Sequence, residues 1–203
     1  MIDTLMLNLK QKTRKETNKM GFDLSGMNPN LTRPEPELPP FPERTDKDWE
    51  KYHDWQEENC GVHFRNSVWG WRPLWHFVTG ICDDILTEKD MEKGTWNDGH
   101  KISKTKAGKI AKRLHSMIKD GKVKVYEEGY KEHLASLEQV DCSICEGTGK
   151  RKEPPLTGAG DKECNGCSGT GKKDDWDKSY PFSEENVRKF ANFCANSGGF
   201  TIC

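Results

Sequence analysis

Four of the eight cysteines in this 203-residue chain fall in two copies of one short pattern, CSICEGTGKR (142–151) and CNGCSGTGKK (164–173). Two thiolates separated by two residues occupy adjacent corners of a tetrahedron from a single tight turn. Two such pairs complete the four-sulfur shell of a structural zinc ion. Gly147, Gly149, Gly169 and Gly171 permit positive φ and a close approach of backbone amides to sulfur. Such amide contacts offset the charge of four thiolates around a doubly charged ion. Cys142, Cys145, Cys164 and Cys167 are therefore expected to bind one Zn²⁺ on a metal-stapled hairpin spanning 141–175. The rival chemistry is thiol–disulfide exchange. A redox Cys-x-x-Cys pair sits alone at a helix start, unlike this duplicated, glycine-flanked setting.

A second chemical cluster is FRNSVWGWRPLWHF (64–77), where Arg65, Asn66, Trp69, Trp71, Arg72, Trp75 and His76 lie close together in sequence. Tryptophan faces can stack a flat ligand while guanidinium groups bind its polar edge. WNDGHK (96–101) offers a second wall through Asn97, Asp98 and His100. The expectation is a shared cleft lined by Arg65, Trp69, Trp71, Arg72 and His100, with Lys104 and Lys106 at its mouth, sized for a nucleotide-like ligand. The competing reading makes the tryptophans core and the Asp-Gly pair an ordinary turn. Residues 101–124 carry nine Lys or Arg against one acid, Asp120, which reads as a solvated helix face or as an anion site. No G-x-S-x-G, phosphate-binding G-x-x-x-x-G-K-S/T or H-E-x-x-H motif occurs. A four-cysteine metal has no open position for water. The expectation is a non-enzyme.

The elements that must position these groups are mainly helical. Thr45 and Asp48 form a capping-box pattern before Trp49, Tyr52 and Trp55. Pro73 suits the first turn of a helix with Leu74, Trp75, Val78, Ile81 and Ile85 on its buried stripe. Thr87 and Asp90 cap a short helix ending near Gly94. From Ser103, Ala107, Ile110, Ala111, Leu114 and Ile118 recur at helical period until Gly121. KVKVYEE (122–128) alternates as a strand would, and a helix is expected after it. Ser183 caps a last helix burying Val187, Phe190, Ala191 and Cys194 before Gly198 and Gly199. The predicted fold is mainly α with a small β zinc-hairpin insertion (α+β). Its parts are a Pro-rich extended arm (1–44, its first twenty residues a frayed helix), a helical core (45–140), the hairpin (141–175) and a C-terminal helix packing on the core (176–203).

Composition limits the function classes. The chain is 33% hydrophobic and 32% charged with a net charge of -1, which argues against a whole-chain nucleic-acid binder. No stretch has the apolar length of a membrane span, and the N-terminal order of apolar and basic residues is the reverse of a signal peptide's. A cytoplasmic, reducing location is expected, where paired cysteines favour metal over disulfide.

The C-x-x-C-x-G-x-G repeats resemble the cysteine-rich zinc domain of DnaJ-type co-chaperones, which carries four repeats and two zinc sites. Two repeats here imply one site, and no His-Pro-Asp tripeptide of a J domain is present. The segments GFDLSGMNP, FRNSVWGWRPLW, WNDGHKIS with AGKIAKRL, and FANFCANSGGFTIC resemble an uncharacterised phage and bacterial family. That resemblance implies a phage accessory or counter-defence factor acting in the host cytoplasm. The expected function is a zinc-containing protein that captures a nucleotide-like small molecule or a host protein. The alternatives are a DnaJ-like binder of unfolded chains and an enzyme of unrecognised type.

Overall fold

The computed structural model describes residues 21–203; the helix expected over 1–20 lies outside them. Four short strands, β1 (Gly21–Gly26), β2 (His63–Ser67), β3 (His100–Ser103) and β8 (Gly199–Ile202), form one antiparallel sheet in the order β2-β1-β8-β3. Each strand places alternate residues on one face. Phe22 and Leu24 of β1, Phe64 of β2, Ile102 of β3, and Phe200 and Ile202 of β8 are buried there.

The helices in chain order are α1 (Asp46–Glu58), α2 (Val68–Ile81), α3 (Glu88–Lys93), α4 (Lys104–Lys119), α5 (Lys122–Ser136) and α6 (Glu184–Asn196). Residues of α2, α4 and α6 cover the buried face of the sheet. Ala107, Ile110, Ala111 and Leu114 of α4 meet Val187, Phe190 and Ala191 of α6 in one cluster with the sheet residues and with Trp71, Leu74, Trp75 and Val78 of α2. The fold is α+β. The caps expected from sequence form: Thr45 with Asp48 and Thr87 with Asp90 make reciprocal capping boxes, and Ser103 and Ser183 accept from the third residue of their helices. Among the described residues, no helix is long and apolar enough to cross a membrane.

Three expectations are corrected. Gly21–Gly26, inside the segment read as an arm, is an inner strand bonded to both β2 and β8. Chain beyond it stays extended, tied by Asn28 and Asn30 amides to the carbonyls of Ser197 and Asn196 and by the Trp55 indole to the Arg33 carbonyl. KVKVYEE is not a strand but the start of α5. Val123 is buried and Tyr126 and Tyr130 pack on the core, a three-and-four spacing, whereas Val125 is 69% exposed. Finally, Pro73 stands well inside α2, because β2 delivers the chain to Ser67, whose hydroxyl caps the helix at the Gly70 amide. The proline removes one helical hydrogen bond, and its ring is buried.

Candidate functional site

Residues 137–173 leave the core after α5. Four two-residue strands, β4 (Val140–Asp141), β5 (Lys150–Arg151), β6 (Lys162–Glu163) and β7 (Lys172–Lys173), pair as β4 with β7 and β5 with β6. The two cysteine repeats are related by a local two-fold. The Cys142 amide donates to the Gly171 carbonyl at 2.8 Å, and the Cys164 amide to the Gly149 carbonyl at 2.9 Å. Thr148 and Thr170 each donate to the carbonyl of the preceding repeat cysteine, Cys145 and Cys167, at 2.7 Å.

This crossing demands glycine. Gly149 has φ 75° and Gly171 φ 78°, and a Cβ on either would lie 2.2 Å from the carbonyl oxygen of Gly169 or Gly147 respectively. Only a residue without Cβ fits.

The turns bring four sulfurs together. Cys142, Cys145, Cys164 and Cys167 are buried, all four are free thiols, and their Sγ atoms lie within 4.8 Å of one another. Sγ of Cys142 is 3.9 Å from that of Cys164, and Cys145 is 3.7 Å from Cys167. A metal–thiolate bond of about 2.3 Å gives a tetrahedral edge of about 3.8 Å, whereas a disulfide requires about 2.0 Å. The cluster therefore fits a four-coordinate metal ion and not a pair of disulfides. The Gly171 amide donates to the Cys167 sulfur at 3.2 Å, a contact that stabilises thiolate.

Acidity in the cluster is uneven. Burial raises the Cys142 pKa, but the backbone amides of Ile144 and Cys145 and the neighbouring thiols outweigh it and bring the group down to about 7. Burial, with hydrogen bonds to the other three cysteines, pushes Cys145 up to about 11. Four thiolates cannot share this volume without a compensating cation.

The module has little else inside it. Its buried cluster is those four cysteines with the partly buried Ile144 packed against them. Arg151, 9% exposed, organises the connecting loop: its guanidinium donates to the carbonyls of Lys152 and Leu156 and to the Asn165 side chain. Nothing in the repeat pattern singles this arginine out, since the second repeat has Lys173 at the matching position.

The residues expected to line one cleft are divided among several places. Trp71 is fully buried, with Phe22 at 5.3 Å and Trp75 at 5.2 Å between ring centroids, and its indole donates to the Gly94 carbonyl. It offers no face to a ligand. Arg65 stands on the exposed sheet face, 3.7 Å from Asp23. His100 and Lys106 both bind Asp90, which also accepts from the amide and hydroxyl of Thr87. Burial alone would raise the pKa of Asp90, but the Lys106 ammonium, Thr87 and His100 hold it well below the usual carboxylate range. This group ties α3, β3 and α4 together, and sequence reasoning saw in Asp90 only a helix cap. Lys104 is exposed at the first position of α4.

Trp69 and Arg72 do come together, with partners that sequence reasoning did not include. A 3₁₀ turn, Trp176–Ser179, leads the chain from the cysteine module back to the core. Trp69 packs 5.1 Å from Trp176 and 5.0 Å from Tyr180. The Tyr180 hydroxyl accepts from Arg72 at 3.0 Å and from the Trp176 indole at 3.1 Å. Two accepted bonds leave its own proton available to another acceptor. Arg72 is half-buried and, among the described residues, in no ion pair. Trp176 is 62% exposed. The available signal was the pair of aromatics four residues apart just after the second cysteine repeat.

Comparison with protein-family models, with curated proteins and with solved structures finds no match to this chain.

Proposed function

We propose that the chain is a non-enzymatic, zinc-stabilised binding protein. The observation that carries this reading is the closed tetrahedron of four buried sulfurs. A metal ligated by all four has no position left for water or substrate, the arrangement of a structural rather than a catalytic zinc. Thiolates at about 2.3 Å select zinc among the common divalent ions of cells by softness and geometry. Zinc supplies folding energy here and takes part in no reaction.

The ligand surface we assign to the patch of Trp69, Arg72, Trp176 and Tyr180, where the module rejoins the core. Trp69, Arg72 and Tyr180 are each half-buried there, and the patch offers the Tyr180 hydroxyl, the Arg72 guanidinium and the Trp69 indole as donors. Beside them lies the exposed ring of Trp176. An aromatic anion such as a nucleotide matches that set, with its base on tryptophan and its phosphate on Arg72. Calorimetric and fluorescence titration with cyclic and linear nucleotides tests the reading. Saturable binding is expected, abolished in Arg72→Ala and weakened in Trp176→Ala. Trp176 is 62% exposed but packs on Trp69, so its truncation should cost no more than about 1.5 kcal/mol of stability. Flat titrations across the panel for the wild type would overturn the nucleotide assignment.

A further inference from the structure

A separate concentration of positive charge lies along α4. Residues 101–124 include nine Lys or Arg and one acid, and part of that charge converges on a groove of about 520 Å³ beside α4. Its walls are Lys109, Lys112, Arg113 and Ser116 of α4, the start of α5 at Lys122, and the turn after α2 at Asp84. Ile85 and Met117 supply an apolar floor. Four cations against the two lining carboxylates, Asp84 and Asp120, leave the groove with a net positive charge.

Its central cation is fixed in place. Arg113 donates to the Ile81 carbonyl and, with both terminal nitrogens, to the two carboxylate oxygens of Asp84. Asp84 is 60% exposed, and the guanidinium holds its carboxyl below the usual range. Asp84 thus presents to Arg113 the forked pair of oxygens that a phosphate would present. Lys112 has no ion pair among the described residues, and Lys109 reaches Asp84 only at longer range.

We infer that this groove is an anion site for a triphosphate group, free or carried by a nucleoside. A phosphate displaces the exposed Asp84 from the Arg113 fork, Lys109 and Lys112 neutralise the rest of the chain, and Ser116 adds a hydroxyl donor. The volume lies within the range of small-ligand sites, and the cations converge instead of following an extended track, which favours a compact polyanion over a nucleic-acid strand. The site shares no residue with the aromatic patch, so it stands independently of the ligand assigned there.

The test is calorimetric titration of the metal-loaded full chain at low ionic strength with inorganic triphosphate and with ATP. Saturable one-to-one binding is expected. Tighter ATP binding identifies a nucleoside-borne group in contact with Ile85 and Met117, and equal affinities identify the phosphate chain alone. Reversing both exposed lysines in Lys109→Glu/Lys112→Glu should weaken binding by at least about tenfold with an unchanged melting midpoint. Asp84→Asn should tighten it by freeing the Arg113 fork. No saturable heat from either probe, or undiminished binding by the double variant, overturns the site. So does preferred binding of single-stranded DNA with a steep, many-ion salt dependence, which would mark an extended polyanion face instead.

Discussion

Asp90 concentrates more polar contacts than any other carboxylate described, and each has a structural consequence. Its bonds to Thr87 start α3, its bond to His100 fixes the entry of β3, and Lys106 locks the first turn of α4 to both. The folded pKa lies below the ordinary aspartate value of 3.8. The charged form is thus favoured by folding. Its stabilisation is complete above pH 3.8 and is lost as pH falls from there toward the folded value. Asp90→Asn should cost about 3 kcal/mol, the low end for breaking a buried ion pair because Lys106 is partly exposed, and should flatten this acid limb. Melting midpoints followed from neutral pH to about pH 2 check both parts; an undiminished acid limb would contradict them. Trp71 illustrates the opposite case, a chemically suggestive residue spent on packing. Trp71→Ala should destabilise the fold by about 3–5 kcal/mol in chemical denaturation, while ligand affinity measured on the folded fraction stays unchanged.

Among the elements, most helices announced themselves, the start of α5 excepted, and the sheet strands did not. The stripe of Ala107, Ile110, Ala111 and Leu114 and the capping residues Thr45, Thr87, Ser103 and Ser183 mark α1, α3, α4 and α6 by period and by cap. Each sheet strand is only four to six residues long, with one or two inward side chains, too few to establish a period. Phe22 with Leu24 and Phe200 with Ile202 are the whole signal for β1 and β8. Their pairing spans almost the entire described chain, and local sequence carries no trace of such a contact. Among the candidate site residues, the cysteines were legible because their spacing is itself the geometry of a tetrahedral shell. The proposed cleft was not, because successive residues of α2 point to different sides: Trp71 inward, Trp69 and Arg72 toward Tyr180. The elements also differ in what holds them. The core cluster and the cysteine cluster share no residue, so Cys145→Ser should loosen residues 140–175 and leave α2, α4 and α6 folded. Amide hydrogen exchange should show protection lost in the module and kept in the core. Loss of protection throughout would mean that the two fold as one unit.

At the scale of the whole molecule, a net charge of only -1 conceals separated regions: a helical layer on a four-stranded sheet, a cationic groove along α4, and a module too small for an apolar core. Domains of that size fold on disulfides or metals, and the module's four buried thiols are free. The segment leaving the module carries Trp176 and Tyr180 to the core, so the proposed zinc would also secure the chain from which half of the proposed ligand patch is built. The account turns on that metal. Its most direct test is elemental analysis of the purified full chain beside Cys145→Ser. The account predicts one zinc per wild-type chain and, since a site missing one thiolate binds more weakly, loss of that zinc from the variant under a chelator concentration the wild type withstands. A wild-type chain without zinc, its four module cysteines recovered as two disulfides, would contradict it.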